Sequence, residues 1–155
     1  MSRVQLAINV SDVDAAVAFY SKLFGAAPAK RRPGYANFAI TEPPLKLVLI
    51  QGDGAPGGLN HLGVEVEDTA KVQDAISRFG EQDLAVDVED GVTCCYAVQD
   101  KVWVTDPDGA KWEFYTVLAD AESMHPVATS DMAACCATAG SDAAEPAVVD
   151  ASACC

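Results

Sequence analysis

Residues 5–25 read QLAINVSDVDAAVAFYSKLFG and residues 61–80 read HLGVEVEDTAKVQDAISRFG. The two stretches are versions of one unit. Gln5 aligns with His61, Leu6 with Leu62, Ile8 with Val64, Val10 with Val66 and Asp12 with Asp68; one deletion later, Phe24-Gly25 aligns with Phe79-Gly80. Each copy opens on alternating apolar residues, the period of a strand with one buried face. Each then passes an acidic residue suited to cap a helix and runs to a closing Gly. The helical stripes, at spacings of three and four, are Val13, Ala16, Val17, Tyr20 and Phe24 in the first copy and Val72, Ala75, Ile76 and Phe79 in the second. Both stripes read as core.

Further strands follow in each half. The first half offers Tyr35–Ile40, a turn at Pro43-Pro44, and 45–50; the second offers 85–89, 93–98, 102–105 and 111–117. Asp106-Pro107-Asp108-Gly109 lies between the last two, and its composition is that of a tight hairpin turn. PLKLVLI (44–50) aligns with GAKWEFY (109–115), which pairs Val48 with Glu113. Residues 52–58, Gly-rich, read as a linker. The halves are therefore about 1–52 and 58–118, each β-α-β-β with an additional hairpin strand in the second.

After Leu118 the composition changes. Residues 119–155 hold no aromatic residue, Lys or Arg. Such a segment buries too little apolar area to offset its ordering entropy, so it reads as a flexible acidic tail. The chain has 155 residues, half of them hydrophobic, and a formal net charge of −13. That charge argues against nucleic acid and against anionic membranes, because both need clustered Lys and Arg. No apolar run approaches the ~20 residues of a membrane span, and the start lacks the apolar core of a signal peptide. The expected location is the cytoplasm.

Three positions stand out. Gln5 and His61 are polar residues at matching places in the repeat, opening the first strand of each half. Glu113 sits mid-strand between Trp112 and Phe114. Alternation puts Lys111, Glu113 and Tyr115 on one face, which is either solvated or turned toward a site that satisfies the carboxylate. His61 alone reads equally as a hydrogen-bonded strand residue. The six cysteines form adjacent pairs, Cys94-Cys95, Cys135-Cys136 and Cys154-Cys155. Adjacent cysteines bond only through a strained ring, so in a reducing cytosol these are thiols, soft ligands for a thiophilic centre such as trivalent arsenic or Cd(II). Of Cys94 and Cys95, one could instead pack inward as a small hydrophobe.

DVDAAVAFYSKLFG (12–25), VWVTDPDGAKWEFY (102–115) and the repeat that joins them resemble the vicinal oxygen chelate superfamily, which includes glyoxalase I, extradiol dioxygenases and fosfomycin- and bleomycin-resistance proteins. The resemblance implies an α+β fold of two βαβββ modules forming a cupped mixed sheet around a metal. It also implies ligands from the first strand of each module and the last strand, here Gln5, His61 and Glu113. The fourth family position falls on Val48, which cannot bind metal. Three ligands leave coordination sites open, as in non-haem Fe(II) oxygenases. Gln5 departs from the usual His there.

A second resemblance is closer. Residues 1–50, LNHLGVEV (59–66) and TCCYAVQDKVWVTDPDG (93–109) resemble the bacterial carbon–arsenic lyases. The resemblance implies Fe(II)- and O2-dependent cleavage of trivalent organoarsenicals, methylarsonous acid or aromatic arsenicals, to arsenite. Cys94 and Cys95 would hold the arsenic. Ni, Co or Mn could stand in for Fe(II). Lys101 either contacts the site from the same stretch or is solvated. Cys135, Cys136, Cys154 and Cys155 either capture metalloid or are dispensable. His125, beside Pro126, reads as no ligand. The alternatives are a non-catalytic binder of Cd or As, and another three-ligand enzyme of the superfamily such as a ring-cleaving dioxygenase or fosfomycin-type thiol transferase. Monomer and homodimer both fit.

Overall fold

The computed structural model describes residues 2–52 and 54–125. The elements run β1 (Arg3–Val10), α1 (Val13–Phe24), β2 (Lys30–Arg32), β3 (Tyr35–Ile40), β4 (Leu45–Gln51), β5 (Leu59–Glu65), α2 (Thr69–Glu81), β6 (Asp87–Cys94), β7 (Ala97–Thr105) and β8 (Lys111–Asp120). This is βαβββ twice. One eight-stranded mixed sheet has the order β2-β3-β4-β1-β5-β8-β7-β6, so each module contributes four adjacent strands and the modules meet where β1 pairs with β5. That pairing is antiparallel, with Leu6 opposite Leu62. Within the modules the parallel pairs match: Ala7 lies opposite Val48 on β4, and Gly63 opposite Glu113 on β8. The expected equivalence of Val48 and Glu113 is thus a register in the sheet. Among the described residues no helix is long and apolar enough to cross a membrane.

Local sequence explains the helices. Asp12 is extended and its carboxylate accepts from the backbone N–H of Asp14 and Ala15 at 2.8 and 3.0 Å. Asp68 does the same for Lys71 at 3.0 Å. These bonds satisfy amides that the first helical turn leaves without partners. Gly25 ends α1 in the left-handed region, φ 61°. The second helix departs from the expected stop at Gly80: it continues through Glu81, and Asp83 takes the left-handed position at φ 56°. An Asp tolerates that region better than most side chains, so the Gly is not needed there.

The helices pack on one face of the sheet. Val13 and Val17 of α1 join Ala36, Phe38, Ile40, Leu47 and Leu49 in one cluster, with Leu6, Ile8 and Val10 against it. Val72, Ala75 and Phe79 of α2 join Val102, with Val104 and Phe114 beside them. Consequently the odd-numbered residues of β1, Gln5, Ala7 and Asn9, point to the opposite face and are buried there.

Three features, one in the first half and two in the second, are not those the sequence suggests. The stretch 93–98 is not a strand: Cys95 and Tyr96, at φ 55° and 62°, form the two-residue turn of the β6–β7 hairpin, with Cys94 opposite Ala97. Consecutive left-handed residues are the type I′ geometry that a tight hairpin favours. The short strand β2 was not legible in the sequence. Backbone pairing also continues past Leu118. Asp120 pairs with Ala97, Ala121 N–H donates to the Tyr96 carbonyl at 2.9 Å, and Cys95 N–H donates to the Met124 carbonyl at 2.8 Å. Backbone bonds of this kind hold a segment whatever its side chains. Residues 126–155, which include most of the expected tail, lie outside the described residues.

Asp100, 8% exposed, ties the second module together: its carboxylate accepts from Thr69 Oγ1 at 2.5 Å, at the start of α2, and from Gly91 N–H at 2.8 Å, in β6. Asp100→Ala removes a buried carboxylate from the half-buried Thr69 hydroxyl and the exposed Gly91 amide. We expect a loss of about 1–3 kcal/mol, read as a lower urea midpoint at unchanged slope. A midpoint equal to wild type would show that water replaces the carboxylate at no cost.

Candidate metal and thiol site

Gln5 from β1, His61 from β5 and Glu113 from β8 converge at the seam between the modules. They are 4%, 4% and 5% exposed, so the face opposite the helices is closed rather than solvated. Lys111, at the strand's start, remains exposed. Gln5 Nε2 lies 3.0 Å from His61 Nε2 and donates to Glu113 Oε1 at 2.5 Å; His61 Nε2 and Glu113 Oε1 are 3.2 Å apart. Asn60 Oδ1 lies 2.7 Å from His61 Nδ1. Because that oxygen only accepts, Nδ1 carries a proton, and Nε2 is the ring nitrogen that faces Glu113. An imidazole nitrogen and a carboxylate oxygen thus face one spot, with the Gln5 amide nitrogen against both.

That geometry suits a divalent cation. Ligand bonds of about 2.1 Å at right angles put donor atoms about 3.0 Å apart, close to the 3.2 Å between His61 Nε2 and Glu113 Oε1. The surrounding cavity holds about 10 Å³, room for a single water-sized sphere, and is lined by Gln5, Lys46, Val48, His61, Cys94, Cys95, Gln99, Trp103, Glu113 and Tyr35. Imidazole nitrogen and carboxylate oxygen, joined by the Gln5 amide oxygen once the amide turns over from Tyr115, form a borderline-to-hard donor set, suited to Fe(II), Mn(II), Co(II) or Ni(II). Among the described residues no group of three or more His, Cys, Asp and Glu is placed to hold a metal, so the amide of Gln5 is needed to complete the set. Val48 lines the cavity at the place related by the repeat to Glu113 and offers no ligand.

Two charged or polar neighbours hold the set. The Tyr115 hydroxyl donates to Gln5 Oε1 and lies 3.4 Å from Glu65 Oε2. Glu65 is clamped by Arg3 through two bonds of 2.9 and 3.1 Å and by Lys46 at 3.4 Å. Burial, then the charges of Glu65 and Glu113, push the Tyr115 phenol well above its ordinary value, so it keeps its proton. Lys101 is the clearest departure from a solvated lysine: it is 2% exposed. Its ammonium lies 3.3 Å from Glu89, 3.9 Å from Glu113 and 5.1 Å over the Trp103 ring. Burial pulls its pKa down, but the negative charges of Cys94, Glu113 and Glu89 together outweigh that and raise it. The even spacing of β7 turns Gln99, Lys101 and Trp103 into the cup. Alternation could have suggested this, but it did not reveal which face is closed.

The thiols lie beside this centre. Cys94 is 7% exposed at the end of β6, and its sulfur is 3.2 Å from that of Cys95, well beyond the ~2.05 Å of a disulfide. Both line the cavity of the triad. A larger cavity of about 380 Å³ adjoins, sharing Cys94 and Trp103 and bounded by Val86, Val92, Lys101 and His125. His125 therefore borders the site rather than lying in a detached tail, a placement only the chain's return past the hairpin produces. Cys135, Cys136, Cys154 and Cys155 lie outside the described residues.

A sheet of two βαβββ modules cupped around polar residues from the first strand of each defines a class, and the comparisons agree. The chain belongs to the glyoxalase/bleomycin resistance protein/dioxygenase superfamily, whose family model matches residues 3–114. It is 58% identical over 149 residues to a Thermomonospora curvata protein named trivalent organoarsenical cleaving enzyme, covering 96% of this chain and 97% of that one. It is 62% identical over 123 residues to the cadmium-induced protein CadI of Mycobacterium tuberculosis, covering 79% of this chain and 81% of that one. Among solved structures, the Mn(II)-bound glyoxalase from Novosphingobium aromaticivorans superposes with a TM-score of 0.56 at 20% identity, covering 83% of this chain. The chain spans 44% of that glyoxalase, and this likeness concerns the fold.

Two substitutions test the arrangement. A Cβ on Gly63 would meet Glu113 Cγ at 2.9 Å, the Glu113 carbonyl oxygen at 3.2 Å and Gln5 Cβ at 3.3 Å. Gly63→Ala should therefore weaken Co(II) binding at least about tenfold in a protein that still melts cooperatively; wild-type affinity would remove Gln5 and Glu113 as ligands. Tyr115→Phe deletes the hydroxyl that holds Gln5 Oε1 and leaves Nε2 facing His61 and Glu113. Because that hydroxyl competes with a metal for the amide oxygen, we expect Co(II) affinity to rise about three- to tenfold, the worth of one hydrogen bond; titration calorimetry with an unchanged Kd would show the hydroxyl to be idle.

Proposed function

We propose that this chain is an enzyme that cleaves the carbon–arsenic bond of trivalent organoarsenicals, with Fe(II) and O2. The observation that carries the reading is the thiol pair, sulfurs 3.2 Å apart, lining the same cavity as Gln5, His61 and Glu113. The name and identity of the Thermomonospora curvata relative support it. The thiols hold the arsenic and fix its third substituent against the metal centre, which converts a bimolecular encounter into a positioned one. Gln5, His61 and Glu113 hold the metal; when bound, it supplies the redox chemistry that O2 requires. The buried Lys101 ammonium balances the charge of Glu113 and of the thiols. The adjoining cavity, lined by Val86, Val92 and Trp103, takes the organic substituent. Methylarsonous acid and one O2 give arsenous acid and formaldehyde with all atoms accounted for; the electrons taken by O2 come from the methyl carbon. Thiols of this kind persist in a reducing compartment, and we place the enzyme in the cytoplasm.

A second reading has support of its own. The mycobacterial relative is named for induction by cadmium, and a thiol pair beside an imidazole also suits sequestration of a soft ion. One assay separates the two. The full chain is loaded anaerobically with Fe(II), given methylarsonous acid and then air, and arsenite and formaldehyde are measured. We expect both products in equal amounts, and none from His61→Ala or Cys94→Ser. Binding without products above the iron-free control would leave only sequestration; full turnover by either variant would remove that residue's role.

A further inference from the structure

The hairpin that carries the thiols also buries a polar atom with nothing to bind. Gln99 on β7 is 5% exposed and lines the cavity that holds the triad and both cysteines. Its Nε2 donates to the carbonyl oxygen of Cys94 at 3.3 Å. A carbonyl oxygen only accepts, so this bond fixes the amide, nitrogen toward Cys94 and oxygen away from it. Gln99 Oε1 is the sole buried side-chain atom among the described residues with no hydrogen-bond partner. A buried acceptor without a donor costs stability, and native proteins keep few of them. An apolar residue of similar size would fill this place without that cost. Its retention in a cavity lined by thiols and metal-binding groups points to a ligand that brings the missing donor.

The chemistry of arsenic narrows that ligand. An arsonous acid carries an organic group and two hydroxyls. Two Cys thiols exchange with it: two As–S bonds form, two As–O bonds break, each thiol proton joins a departing hydroxyl, and two waters leave. The arsenic then carries its organic group and no O–H. Arsenous acid carries three hydroxyls, and the same exchange leaves one O–H on the dithiolate-bound arsenic. Only the inorganic species, once held, still offers a donor. Resting on the reading that Cys94 and Cys95 hold arsenic, we propose that Gln99 Oε1 accepts a hydrogen bond from the hydroxyl of thiol-bound arsenite. The site then distinguishes product from substrate through a residue outside the metal set, and retains the product by that contact.

The test uses the full chain with Cys135, Cys136, Cys154 and Cys155 changed to Ser, so that only the hairpin thiols bind. Anaerobic calorimetric titrations with sodium arsenite and with methylarsonous acid are compared for this protein, for Gln99→Leu and for Gln99→Met. Both substitutions remove the amide acceptor, and the second is a close fit in volume should the first fail to fold. We expect the arsenite Kd to rise about three- to tenfold, the worth of one hydrogen bond, with the methylarsonous acid Kd within about twofold of its starting value. Equal weakening for both ligands would assign Gln99 to hairpin structure and overturn the proposal, as would no change for either. No binding of either arsenical by the parent would sink the arsenic reading itself, and this inference with it.

Discussion

The antiparallel pairing of β1 with β5 is the contact on which the site depends. It sets Gln5 beside Gly63, while the parallel pairing of β5 with β8 sets Gly63 beside Glu113. Gly63 is thus the middle of a row of three strands. The two functional side chains meet over it because it has no side chain of its own. His61, two residues along β5, reaches the same point from the same face. A slip of one residue at the seam would put Gln5 on the face opposite His61 and Glu113. The apolar residues that alternate with them, Leu6, Ile8 and Phe114, pack under the helices and make such a slip costly.

The cup is a buried polar surface, and its electrostatics are internally compensated. Glu113 faces the Lys101 ammonium; Glu65 faces Arg3 and Lys46. An unpaired charge at such depth is expensive, which is why each carboxylate has a cation and each cation a carboxylate or a ring. Lys46 lies 4.9 Å over the Tyr115 ring, and Lys101 sits over Trp103. The Glu65, Tyr115 and Gln5 contacts form a chain from the rim to the point where Gln5, His61 and Glu113 meet.

The thiols are presented differently, on a turn rather than a strand. Cys95 and Tyr96 both occupy the left-handed region, which costs most side chains about 1–2 kcal/mol per residue. The surroundings hold them there: Lys30 Nζ donates to the Tyr96 carbonyl at 2.8 Å, the Tyr35 and Tyr96 rings stand 5.4 Å apart, and the chain beyond β8 bonds back to Cys95. Backbone in such conformations is found where function requires a particular presentation. Here it brings two adjacent sulfurs within reach of a common partner.

The sequence by itself determined the two modules, their capped helices and the pairing of positions across the repeat, because strand and helix periods and Asp caps are local properties. It also marked Gln5, His61 and Glu113, since polar residues at matching strand positions break an otherwise apolar pattern. Which face of the sheet closes was not local. Alternation sorts Lys111, Glu113 and Tyr115 from Trp112 and Phe114, but solvent and a sealed cup produce the same alternation. The burial of Lys101, the orphaned oxygen of Gln99, the turn at Cys95-Tyr96 and the return of residues 119–125 to the hairpin all depend on strands distant in sequence. Only the tertiary structure decided them, because a side chain's neighbours across a sheet are set by register and curvature, not by the residues on either side of it.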